Sequence, residues 1–254
     1  MGRALGCLLC LLSGVVWPQQ AQARRFFRAR FRPGDLDLQE PGELSIETDY
    51  GLIYGDGQDG LRVPAPDFDI GLGVLDWLEV NIDSSFSQTQ IGSKNAQYVG
   101  EPIWLSGRFD LYSLEDKKTG SSFGLGAQVG PRLPSLHNAQ GVGVAGIGLI
   151  GGGTNNFNVV FNVGTTLDAG QSLALTYGVD LEYDFGQKKI WSLQGEVAGA
   201  HYFGNSPDQL LINFGFGAQV TQRLQLTLLA ITGPVYQGDR LGFEGGVIYD
   251  HNLW

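Results

Sequence analysis

Residues 43–54 read Glu-Leu-Ser-Ile-Glu-Thr-Asp-Tyr-Gly-Leu-Ile-Tyr, so apolar and polar side chains alternate along the stretch. Successive side chains of a β-strand point to opposite faces of its sheet. Leu44, Ile46 and Tyr50 therefore share one face, and Glu47 and Asp49 share the other. About twelve runs of this kind, each of roughly ten residues, continue to the C-terminus and predict an all-β protein.

The runs predict an up-and-down antiparallel transmembrane β-barrel of about twelve strands, with an apolar outside and a polar inside. A closed sheet can cross a bilayer because closure leaves no backbone polar group unpaired. The alternative is a soluble barrel or sandwich, in which the apolar face points inward. The 39 glycines of the chain would fill such an interior poorly. Strands are expected near 43–54, 67–75, 77–88, 101–112, 121–132, 140–151, 156–167, 172–185, 189–203, 209–220, 223–232 and 240–253.

Every second connection between these runs is short, and the others are often longer. Short turns of bacterial barrels face the periplasm, which predicts that both termini are periplasmic and that the long loops face outside. Aromatic residues near the strand ends, such as Trp77, Trp191 and Trp254, are expected to lie at the level of the lipid headgroups. The terminal Trp254 is also typical of barrels that the barrel assembly machinery recognises, so this machinery and outer-membrane lipids are the expected partners.

The first 40 residues predict export and a separate N-terminal arm. Residues 1–23 contain Arg3, an apolar stretch and the small-x-small sequence at residues 21–23, which together indicate a cleaved signal peptide. Residues 24–40 form an arginine-rich arm, and residues 41–254 form the barrel. From residue 33 onward the chain has 26 acidic residues against 10 basic ones, since Arg3 and five arm arginines are subtracted from the total of 16. The arm is either a disordered tail or a plug that enters the acidic lumen and that salt releases. The five arm arginines are Arg24, Arg25, Arg28, Arg30 and Arg32.

Two stretches carry a family resemblance: residues 41–47, which read Pro-Gly-Glu-Leu-Ser-Ile-Glu, and the hairpin at residues 68–80, with its Gly-Val-Leu-Asp-Trp-Leu-Glu-Val. They resemble the start of the outer-membrane proteins grouped as the meta-pathway phenol-degradation transporter family. The resemblance covers about 40 residues clearly. It implies a porin-like barrel and brings no catalytic residues.

The polar faces of the expected strands are dominated by carboxylates, with only two arginines at inward positions. Rings of carboxylates favour cations and repel anions. The alternative is that these groups only hydrate the lumen through hydrogen bonds with amides, hydroxyls and water. The residues expected to determine lumen selectivity are Glu47, Asp49, Asp69, Glu79, Asp83, Arg108, Arg132, Asp180, Glu182 and Glu196.

The sequence offers little for catalysis. His137, His201 and His251 are far apart and show no metal-ligand spacing, so no metal and no cofactor is expected. An acidic chain also disfavours nucleic acid as a partner. The principal hypothesis is a porin-like channel through which small-molecule solutes pass passively, with cations or neutral solutes favoured. The alternatives are a structural or adhesive barrel with a closed lumen and, less favoured, a barrel lipid hydrolase that uses His201 with a cross-strand serine.

Overall fold

The alternating runs form long antiparallel strands in a computed structural model of the protein. The structure describes Leu36 and residues 38–55, 61–89, 97–100, 103–116, 118–134, 141–167, 173–186, 190–203, 208–235 and 239–254. The strands are β1 (Glu43–Gly55), β2 (Leu61–Leu75), β3 (Leu78–Thr89), β4 (Gln97–Gly100), β5 (Ile103–Asp116), β6 (Ser121–Leu133), β7 (Gly143–Gly153), β8 (Phe157–Leu167), β9 (Ala174–Phe185), β10 (Trp191–Tyr202), β11 (Gln209–Gln219), β12 (Leu224–Val235) and β13 (Asp239–Asn252).

The sheet closes on itself because β1 pairs with both β2 and β13. The other strands pair antiparallel with their neighbours around the ring. β4 and β5 pair with different parts of the same strand, β3, so they occupy one place in the ring. The result is a closed antiparallel barrel of twelve strands, which confirms the predicted fold class and strand number.

The observed strands differ from the expected ones mainly at the end of the barrel that carries the longer connections, which we call the loop end. β2 begins at Leu61, within a stretch that we expected to be loop, and pairs there with the far end of β3. β4 also lies in an expected loop. Register shifts interrupt the regular pairing at several places, among them one near Asp110 in β5 and one near Tyr54 in β1. Backbone pairing therefore continues beyond the point where the hydrophobic alternation stops.

Large apolar side chains cover the outer wall of the barrel. Tyr50, Val163 and Phe214 are each more than half exposed, and they lie on three different strands. Aromatic rings cluster near the short turns, at what we call the turn end: the ring centroids of Trp191 and Phe216 are 5.2 Å apart, and those of Trp77 and Phe109 are 6.3 Å apart. A helix with the length and apolar character needed to cross a membrane is absent from the described residues.

Candidate functional site

The lumen is lined on one side by a row of carboxylates from three adjacent strands. Glu47 of β1 lies directly opposite Asp69 of β2 in the backbone register, and Asp69 lies opposite Asp83 of β3. One step nearer the loop end, Asp49 lies opposite Asp67, and both are buried inside the barrel. Because directly opposite side chains in a sheet lie about 5 Å apart, these strands present a dense negative surface, which we call the acidic wall.

Glu79, nearer the turn end of β3, belongs to a buried hydrogen-bonded network. The side chains of Glu79 and Arg108 are 0% and 1% exposed, and the guanidinium Nη1 lies 3.7 Å from the carboxylate Oε1. Arg108 Nε donates a hydrogen bond of 3.2 Å to Gln128 Oε1. Gln128 in turn donates to Ser106 Oγ at 2.6 Å. The network therefore connects the acidic wall to β5 and β6.

A second acidic group lies across the lumen on β9 and β10. Asp180 faces Glu196 in the register between these strands. Each of the two accepts an amide hydrogen bond: from Asn162 Nδ2 at 3.1 Å for Asp180, and from Asn213 Nδ2 at 2.6 Å for Glu196. Glu182 lies one inward position further along β9 and is buried. Around the twelve-strand ring, β9 and β10 are opposite β2 and β3, so two carboxylate surfaces face each other.

Between these surfaces, a cluster of buried apolar side chains lies on the inner face of β5 to β8, and we call it the apolar wall. Its buried members are Trp104, Ala145, Ile147, Leu149 and Val160. The indole Nε1 of Trp104 donates to the carbonyl oxygen of Gly130 at 3.3 Å, which satisfies the only polar atom of that side chain. The period-two rule does not predict this wall, because β7 is apolar at both inward and outward positions.

Residues that precede the barrel lie inside it. The side chain of Leu36 packs against the apolar wall. The backbone N–H of Gln39, a residue that is 3% exposed, donates a 2.8 Å hydrogen bond to Glu79 Oε2. A methyl group at Gly73 of β2 would overlap the carbonyl oxygens of Gln39 and Glu40. We call residues 36 and 38–40 the crossing segment, since their contacts extend from β2 and β3 to the apolar wall.

The structure places all ten residues that we expected to determine selectivity on barrel strands, at inward positions of the alternation. Arg132 is half-buried on β6, opposite Trp104 in the register, whereas Arg108 is fully buried. The five arm arginines lie outside the described residues, so the arginine plug stays a prediction. The same holds for the signal peptide.

Sequence reasoning missed some of the buried groups. Glu244 of β13 is 1% exposed and points inward, next to Gly51 of β1. The alternation could have identified Glu244, because it is an even number of residues from Gly246 and Asp250 in the expected strand and so lies on the same face. Leu36 and Gln39 had no comparable signal, because they precede the first alternating run.

The lipid-hydrolase hypothesis expects a serine opposite His201 on a neighbouring strand. Its cross-strand neighbour on β9 is Leu175, and not a serine. The imidazole Nδ1 lies 2.9 Å from Asp208 Oδ2 at the loop end, where both side chains are over 40% exposed. The hydrogen bond with His201, followed by one from the backbone N–H of Tyr202, holds the pKa of the Asp208 carboxyl below its usual value. Among the described residues, no group of three or more acidic, histidine or cysteine side chains is placed to hold a metal ion.

Solved structures with a similar fold include porins and an outer-membrane channel. No family model and no curated protein sequence matches the chain. The KdgM porin matches with a TM-score of 0.53 and 11% identity, over 81% of this chain and 98% of the porin. An outer-membrane channel from Pseudomonas putida F1 matches with a TM-score of 0.57 and 10% identity, over 87% of this chain and 99% of the channel. The NanC porin matches with a TM-score of 0.57 and 6% identity, over 82% of this chain and 100% of the porin.

These likenesses cover nearly the whole of each solved barrel, at identities where only the fold is conserved. The chain therefore has the porin-like fold of outer-membrane β-barrels. The narrower resemblance to the phenol-degradation transporter family is not tested by these structures and stays a prediction.

Proposed function

We propose that the chain is a channel of the bacterial outer membrane that passes small molecules passively and favours cations or neutral solutes over anions. The observation that carries the proposal is the sign of the charge inside the barrel. Among the described residues, eight carboxylates and one guanidinium, that of Arg108, are buried charged groups. The carboxylates are Glu47, Asp49, Asp67, Glu79, Glu182, Asp184, Glu196 and Glu244.

The physical basis of this selectivity is the field of the two carboxylate surfaces that face each other across the lumen. A cation between them gains electrostatic energy from both sides, and an anion is repelled from both. A neutral solute is limited by the size of the passage. The apolar outer wall supports a position in the outer membrane, in contact with lipid. On this account the turn end and both termini lie on the periplasmic side.

The test is swelling of liposomes that contain the purified full chain. Three solutes of similar size are compared at equal osmolarity: a neutral polyol, an organic ammonium ion and an organic carboxylate, each ion with a large impermeant counter-ion. We expect the polyol and the ammonium ion to enter several-fold faster than the carboxylate, because only the carboxylate meets like charge. Faster entry of the carboxylate would refute the proposed selectivity. An absence of swelling with all three solutes, both in the full chain and in a chain that lacks residues 24–40, would refute the channel.

A barrel with a closed lumen is the second candidate, and the crossing segment is the observation that favours it. Leu36 and Gln39 occupy space inside the barrel and contact two different parts of its wall. If side chains and this segment close the lumen permanently, the barrel has a structural or adhesive role. No swelling with any solute, in the full chain and in a chain that lacks residues 24–40, would favour this candidate.

A further inference from the structure

The apolar wall contains a shallow recess that is shaped by glycines and filled by one leucine. Gly124 and Gly126 of β6 and Gly151 of β7 all point inward beneath Leu36. A Cβ atom at Gly124 or Gly126 would lie 3.2 Å from a methyl carbon of Leu36, and one at Gly151 would lie 3.0 Å from it. Any larger residue at these positions would therefore press on the leucine side chain.

A sharp turn directs the chain from this recess into the first strand. The N–H of Glu43 donates to the carbonyl oxygen of Glu40 at 2.8 Å. Pro41 and Gly42 are the central residues, and Gly42 has a φ of 86°. Proline followed by a residue with positive φ is the pattern of a type II turn. This explains the Pro-Gly pair that precedes the barrel: it reverses the chain so that residues before it lie inside the lumen.

The C-terminus fixes the same turn. The N–H of Leu253 donates to the carbonyl oxygen of Gly42 at 2.8 Å, and the N–H of Gly42 donates to the carbonyl oxygen of Gly73 at 2.8 Å. A Cβ at Gly42 would lie 2.6 Å from the indole nitrogen of Trp254. The base of the crossing segment is therefore tied to β2 and to the two residues that follow β13, whereas its far end is held by the Leu36 side chain.

We propose that the glycine recess of β6 and β7 is a binding site for the chain's own crossing segment, and that the seated segment obstructs the turn end of the channel. The obstructing role rests on the proposed channel function, whereas the seat does not. Two contacts hold the segment: the apolar side chain of Leu36 in the recess, and a buried hydrogen bond from Gln39 to Glu79. Salt screens exposed charge pairs and acts little on contacts of this kind, so raised ionic strength does not release the segment.

The first test is a disulfide between the segment and the recess. A Cβ at Gly124 would lie 3.7 Å from the Cβ of Leu36, within the range of about 3.5 to 4.5 Å that a disulfide requires. Cys7 and Cys10 precede the predicted cleavage site, so Leu36→Cys with Gly124→Cys would supply the cysteines of the mature chain. We expect rapid cross-linking on mild oxidation of the folded barrel. Leu36→Cys with Val129→Cys is the matched control, because Val129 lies on the outer face of β6, and should not cross-link. Failure of the first pair to cross-link in the folded barrel would overturn the seat.

The second test measures conductance in planar bilayers. The oxidised Leu36→Cys/Gly124→Cys channel should conduct less than the same channel after reduction. Leu36→Ser should raise the ratio of displaced to seated segment by roughly 10-fold or more, because an apolar side chain of this size is lost from the recess, and so raise the mean conductance at low and high salt alike. Val129→Ser should conduct as the unaltered chain does.

Equal conductance of the oxidised and reduced channels would overturn the obstruction while leaving the channel intact. A gain on Leu36→Ser that is confined to low salt would overturn the apolar seat and favour a charge-held arm. If neither the unaltered chain nor any variant conducts, the proposed channel fails and the obstruction fails with it. The cross-link still tests the seat in that case.

Discussion

The acidic wall and the apolar wall lie side by side in one lumen, but they differ in almost every property. On β1 to β3, many inward positions carry carboxylates, and Glu47, Asp69 and Asp83 form a row across the three strands. On β5 to β8, glycines and buried apolar side chains such as Ile147 and Val160 occupy many inward positions, beside the polar network that contains Arg108. The difference shows that an outer-membrane fold requires only an apolar outside. The inside is available for function, which we propose is a charged surface for solutes and an apolar seat for the crossing segment.

The largest expected effect is at the junction of the two walls. Arg108→Met would remove the cation beside Glu79, a carboxylate that is 0% exposed. We expect a loss of about 3 to 5 kcal/mol in the free energy of unfolding, since removal of one partner from a buried pair leaves the other charge poorly compensated. Urea unfolding of the refolded barrel in detergent micelles would measure it.

Arg132 provides the matched control for this prediction, because it is an inward arginine of the neighbouring strand that is only half-buried. Arg132→Met should cost clearly less than Arg108→Met. The double variant Glu79→Gln/Arg108→Met should recover part of the loss. Equal costs for the two arginines would mean that burial does not distinguish the junction from the rest of the lumen.

The next effect compares the inner face of the barrel with its outer face. Val163, in the middle of β8, is 57% exposed on the outer face, and Val163→Arg should destabilise the barrel by about 2 to 4 kcal/mol in a bilayer. Thr176 lies on the inner face of β9, opposite Gly164, and Thr176→Arg should cost far less, because its guanidinium can reach the carboxylates of β9 and β10. Unfolding in lipid vesicles measures both. Similar penalties at the two sites would contradict the assignment of inside and outside.

Leu175 also faces outward but is a weaker test position. It is the second residue of β9, close to the loop end. The penalty for arginine falls toward about 0 to 1 kcal/mol near the membrane interfaces, so Leu175→Arg should cost less than Val163→Arg. A larger cost at Leu175 than at Val163 would contradict the placement of the membrane around the strand centres.

Much of this fold could be predicted from the sequence because a strand has a period of two and one face of each strand meets lipid. The first strand was expected to end at Tyr54 and ends at Gly55. The extension of β2 back to Leu61 could not be predicted, because its pairing beyond the membrane depends on backbone hydrogen bonds and not on apolar alternation.

The candidate site was only partly predictable. Alternation gave the inward positions of residues such as Glu47 and Glu182, but it gave no information on which side chains meet. Glu79 and Arg108 are 29 residues apart in the sequence, and only the register of β3 with β5 brings them together. The seat of Leu36 depends on glycines from two strands. The sequence does not show which side chain fills the space that these glycines leave.

The reversal potential of the full chain in a KCl gradient tests the central claim most directly. The account predicts cation preference at about 0.1 M ionic strength and a weaker preference at about 1 M, because the screening length falls from about 10 Å to about 3 Å. Glu47→Gln/Asp69→Asn/Asp83→Asn should reduce the preference, whereas Asp76→Asn/Glu115→Gln, two exposed carboxylates outside the lumen, should reduce it less. Glu79 is left unchanged in these variants so that its contact with Arg108 is kept. Anion preference in the unaltered chain, or no response to the lumen variant, would contradict the account.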